Sequence, residues 1–112
     1  MKVLFGKIFR GGSKDMIIIQ DTFVCKPGNA SRVAKMFKEA MASDPHLVNV
    51  MTDVTGQYNR VVIVSQFNNL SDFEKNWEAM SHPTKEMEES MKKMQGYQEM
   101  YVSGAREIFR TW

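Results

Sequence analysis

Cysteine is almost absent from this chain. Cys25 is the only one in 112 residues, so no internal disulfide can form and no Cys-x-x-Cys metal or redox motif exists. That fits a reducing, cytoplasmic setting. At the end of an expected strand, Cys25 reads as a small half-buried hydrophobe rather than a reactive thiol. Proline is scarce as well, and Pro27, Pro45 and Pro83 each fall where an element is expected to end or begin. Long apolar runs are missing, and nothing approaches the roughly 20 residues of a membrane span. In the opening "MKVLFGKIFR", Lys7 and Arg10 break the apolar stretch and no small-residue cleavage site follows, so no signal peptide is expected.

Charge of one sign never accumulates. The formal net charge is +2, with Lys and Arg interleaved among Asp and Glu, whereas a nucleic-acid binder gathers its basic residues into a patch that displaces counterions. Nucleic acid is therefore not expected as a partner. The two histidines, His46 and His82, are too far apart for a helical metal pair, and no Cys or carboxylate supports either at ligand spacing. No metal site is expected.

What remains is an ordinary globular composition, 43% hydrophobic and 25% charged, in a length that suits one domain. "MIIIQDTFVC" is dense in β-branched residues and predicts a strand over 16–25, closed by a Pro27-Gly28 turn. Val33, Met36, Phe37, Ala40 and Met41 recur at helical spacing, with Asn29 placed to cap the helix and Asp44-Pro45 to end it. "HLVNVMTDV" and "RVVIVSQF" read as strands joined through Gly56 and Asn59. Leu70, Phe73, Trp77 and Met80 give one apolar helical face, opened by a Ser71-x-x-Glu74 capping box. A further helix is expected from about Ser81–Thr84 to Gly96, with Glu88–Lys92 and Glu89–Lys93 pairs opposite a stripe of Met87, Met91 and Met94. "GAREIFRTW" alternates as a last strand.

The order β, α, β, β, α, β with one additional helix is the ferredoxin-like α+β pattern, an antiparallel sheet with helices on one face. Within the third strand, Val61 and Ile63 point one way and Val62 and Val64 the other, so both faces are apolar although helices can cover only one. A second copy of the sheet is the economical cover, which predicts a homodimer. Residues 1–15 form an N-terminal arm or extra strand that could share this role. They also read as a piece ahead of a start at Met16, and no pattern decides among these. Residues 16–112 are expected to be a single domain.

On those elements a family resemblance can be placed. "IIIQDTFVCKPGNASRVAKMF" and "MTDVTGQYNRVVIVSQFNNLSDFEKNWEAM" resemble the dimeric α+β barrel proteins, a group with NIPSNAP-like proteins, antibiotic-biosynthesis-type monooxygenases and haem-degrading monooxygenases. The second stretch is most similar to the NIPSNAP type. The resemblance spans residues 16–112 and implies paired sheets, a pocket between sheet and helices in each subunit, and no metal or nucleotide cofactor across the group. Haem-degrading members resemble the chain in a helical Trp, matched by Trp77, but carry an iron-ligating His where Met87 stands and an Asn where Asp21 stands. Haem degradation therefore ranks below the other readings.

Two residues are candidates for catalysis. Asp21 lies between Ile19 and Phe23 on one face of its strand, where desolvation would raise its pKa and suit it to proton abstraction. A structural pairing with Arg60, Arg106 or Arg110 is the favoured alternative. His82 precedes Pro83 at a helix start and is better explained by a ring bond to backbone or water than by catalysis. Phe37, Phe67, Phe73, Trp77 and Met87 are the expected lining of a ligand pocket, within a chain of ten methionines whose flexible thioethers suit apolar ligands of varied shape. The expected function is a small dimeric protein binding an apolar or aromatic small molecule, with cofactor-independent monooxygenation as its catalytic form. A non-catalytic metabolite- or partner-binding module is the alternative.

Overall fold

The computed structural model describes residues 15–112. The segment expected as an arm or extra strand thus lies, apart from Asp15, outside the described residues. Strand β1 (Ile17–Cys25) is followed by helix α1 (Ala30–Ala40), strands β2 (Leu47–Thr52) and β3 (Arg60–Phe67), helices α2 (Leu70–Ala79) and α3 (Lys85–Lys92), and strand β4 (Tyr101–Arg110). The four strands form one antiparallel sheet in the order β2-β3-β1-β4, so each β-α-β crossover skips one strand, as the ferredoxin-like pattern requires.

Alternation sorts the sheet into two faces. Ile17, Ile19, Asp21 and Phe23 of β1 stand beside Phe67, Ser65, Ile63 and Val61 of β3, and this face carries the helices. Under α1, Val33 is fully buried against Cys25, Val61 and Ile63, with Phe23, Phe37, Leu47 and Tyr101 around them. Toward the other end of the strands, Ile17, Ile19 and Phe67 make a second cluster closed by Phe73 of α2. The opposite face presents Ile18, Val24, Val62, Val64 and Phe109, and among the described residues no helix lies over it.

Local details depart from expectation in instructive ways. α2 is capped by Asn69, whose side chain accepts from the Asp72 N–H at 2.8 Å, two residues ahead of the expected Ser71 box. Asn29 sits at the α1 N-cap but makes no capping bond there; its side-chain oxygen instead meets Arg32 Nη1 at 3.5 Å. α3 is shorter than expected because Lys93, Met94 and Gln95 donate to the carbonyls three residues back, tightening the chain before Gly96 turns it at φ +87°. Glu89 pairs with Lys92 at 3.3 Å, in place of the two expected i,i+4 pairs.

Candidate ligand site between α2 and β4

Helix α2 leans on β3 through Phe73, which meets Phe67 edge-on at 5.3 Å between centroids. It does not close down on β4. The gap is an open groove of about 530 Å³ lined by Leu70, Phe73, Glu74, Trp77, Arg106 and Ile108, within the usual size range of small-molecule sites. Strand register sets its floor: β1 and β4 pair so that Ile19 faces Ile108 and Asp21 faces Arg106.

Arg106 is the polar centre of the groove. Its Nε donates to Asp21 Oδ1 at 2.6 Å and its Nη2 to Oδ2 at 3.2 Å, a two-point carboxylate clamp. The guanidinium carbon lies 4.6 Å from the Trp77 ring centroid and 5.7 Å from that of Phe73, close enough for cation–π attraction. A chain of rings continues behind it: Trp77 to Phe73 at 6.2 Å, Phe73 to Phe67, and Phe67 stacked on His46 at 4.1 Å. The wall is nevertheless open to solvent, with Trp77 53%, Leu70 50% and Ile108 46% exposed. Apolar side chains this large do not gain from water contact, so the groove has unspent binding capacity.

The other expected residues lie elsewhere. Phe37 stacks on Phe23 at 5.2 Å under α1, beside Tyr97 and Tyr101; burial, with Tyr101 nearby, pushes the Tyr97 phenol up. Phe67 is buried behind Phe73. His82 is exposed in the turn between α2 and α3, and its backbone N–H donates to the Ala79 carbonyl. Met87 is half-buried in the first turn of α3, where its N–H donates to Thr84 Oγ1. Burial pushes the Cys25 thiol up, which keeps it protonated and unreactive. Asp21, Phe73 and Trp77 are thus the candidates brought together, and Leu70, Arg106 and Ile108 join them.

Solved structures share this architecture across nearly the whole chain. A NIPSNAP family protein from Agrobacterium tumefaciens superposes with a TM-score of 0.72 at 11% identity, covering 93% of this chain and 92% of its own. A second from the same organism, a NIPSNAP family protein with unknown function, gives 0.64 at 17%, covering 86% and 87%. An antibiotic biosynthesis monooxygenase candidate from Caulobacter crescentus gives 0.56 at 14%, covering 86% and 89%.

The chain has the NIPSNAP-type fold. At these identities the likeness concerns fold alone. No family model matches the chain, and no curated protein does.

Within the NIPSNAP-type fold, the residues of this groove do not fit haem. Its lining contains no imidazole, and Met87, which occupies the iron-ligand position of the haem-degrading pattern, lies outside it. Among the described residues no three of His, Cys, Asp and Glu are grouped to hold a metal ion. No helix among them is long and apolar enough to cross a membrane.

Proposed function

We propose that the chain is a homodimeric domain, working in a reducing, cytoplasmic setting, that binds an apolar or aromatic small molecule in the α2–β4 groove of each subunit. The observation that carries the reading is the exposed Leu70–Trp77–Ile108 wall around a single clamped arginine. Apolar lining with few, fixed polar groups is the ordinary make-up of a small-molecule site. A panel of planar aromatic compounds, titrated by calorimetry into the protein and into Trp77→Ala, tests it. Saturable binding that weakens at least about tenfold in the variant supports the reading, since a buried aromatic contact contributes more than 1 kcal/mol. Equal affinities for both proteins would move the site elsewhere.

A catalytic form of the same reading draws support from the monooxygenase candidates among the fold's relatives. In it, Asp21 or His82 takes a proton from an electron-rich aromatic substrate, the carbanion left behind adds dioxygen as a peroxide, and breaking of the O–O bond leaves one oxygen on carbon as a carbonyl and releases the other as water. The clamp on Asp21 favours binding over this chemistry, because both of its carboxylate oxygens already accept from Arg106. Oxygen consumption on phenols and quinols that is lost in Asp21→Asn or His82→Ala would favour the catalytic form. Binding without oxygen consumption leaves the non-catalytic module.

A further inference from the structure

Resting on that reading, the geometry around Arg106 points to the class of ligand. A guanidinium offers five N–H donors on two forked edges. Asp21 occupies the edge formed by Nε and Nη2. The other edge, formed by Nη1 and the second Nη2 hydrogen, makes no bond within the described chain: Glu74 also lines the groove, yet no ion pair joins it to Arg106. The arginine is held on one side by a carboxylate and across its face by Trp77, so little conformational freedom remains to be lost when a ligand arrives.

We propose that the groove takes a planar aromatic carboxylic acid, with its carboxylate on the free Nη1–Nη2 edge of Arg106 and its ring along Trp77, Leu70 and Ile108. An arginine bridging two carboxylates keeps both charge-assisted forks filled. Alcohols and amides of the same shape lack the second anionic oxygen and cannot fill the edge. Asp21 acts here as a positioning residue, setting the direction in which the free fork faces.

The probes are 2-naphthoate and its neutral isostere 2-naphthalenemethanol, titrated by calorimetry into the full chain, Arg106→Lys, Asp21→Asn and Trp77→Ala. Each variant's thermal melt is recorded to confirm folding. The expected result is naphthoate binding at least about tenfold tighter than the alcohol, in keeping with bidentate charge-assisted bonds. In Arg106→Lys, which keeps the charge and loses the fork, that preference falls to within about threefold. In Asp21→Asn naphthoate weakens while the alcohol is unaffected. Equal affinity of both probes for the wild type, with both lost in Trp77→Ala, overturns the acid assignment and leaves the groove reading intact. Naphthoate preference that persists unchanged in Arg106→Lys also overturns it. Failure of both probes to bind removes the assignment and the groove reading together.

Discussion

A single carboxylate organises the β2–β3 connection. Asp53 accepts from the Tyr58 N–H at 2.8 Å, the Arg60 N–H at 3.1 Å and Arg60 Nε at 3.1 Å, holding Tyr58 and Asn59 at φ +76° and +59°. Desolvation pushes its carboxyl up, but the bonds from the Arg60 and Tyr58 backbone and the Arg60 guanidinium, with the charge on Arg60, outweigh that and leave it below the usual range. A carboxyl lowered on folding stabilises the folded state above its unfolded pKa of about 3.9, and that contribution disappears as pH falls through the lower folded value. Asp53→Asn should therefore lower the melting temperature at pH 7, and the gap to wild type should close as the pH drops below about 4. A gap independent of pH would mean that the charge on Asp53 plays no part. Asp53 was not singled out in the sequence: D-x₄-Y-x-R has no recognisable spacing, and only the loop's left-handed backbone folds Arg60 back onto it.

At the scale of elements, capping separates two readings of the same stretch. The S-x-x-E pattern at Ser71–Glu74 competes with Asn69, and the structure assigns the cap to Asn69 because its extended backbone, φ −161°, aims its oxygen at the Asp72 N–H. Asn69→Ala should cost about 1 kcal/mol in urea denaturation, whereas Ser71→Ala should change stability by less than about 0.5 kcal/mol. The reverse ranking would restore the Ser71 box. Strand β3 was legible to the residue, since four successive β-branched residues bounded by turn chemistry leave little choice. Strand β4 starts at Tyr101, earlier than the alternation beginning at Gly104 suggests, because pairing of Tyr101 with Cys25 across a bulge extends it. The site was legible in part for the same reason. Periodicity places Asp21, Phe73 and Trp77 on the inward faces of their elements, but Arg60, Arg106 and Arg110 are equivalent until register sets Arg106 opposite Asp21. Phe37 and Phe73 likewise look alike as apolar helical positions, and only the seating of α1 over β2 and β3 puts Phe37 in the core rather than beside the groove.

For the whole molecule, the unresolved energetic problem is the helix-free face of the sheet. Ile18, Val24, Val62, Val64 and Phe109 share it, and Phe109 is among the exposed large hydrophobics. A face with this apolar middle, which also carries Gln20, Thr22 and Glu107, is a surface that two-fold pairing would bury, and a stable pairing needs about 800 Å² from each partner. Val64 lies opposite Gln20 of β1, on the same face as Val62 and Ile18, where a charge would be trapped twice over in a symmetric dimer. Each unpaired buried carboxylate costs several kcal/mol, enough to shift a micromolar dimer to monomer. The substitution leaves Val61, Ile63 and Val33 on the helix side untouched, so the domain itself should stay folded. Light scattering should accordingly give the mass of two chains for the wild type and of one chain for Val64→Glu, with the far-ultraviolet circular dichroism unchanged. A wild type that is monomeric at the concentrations used would sink the dimer. A dimer that survives Val64→Glu would place its interface on another surface, such as the exposed edge of β4.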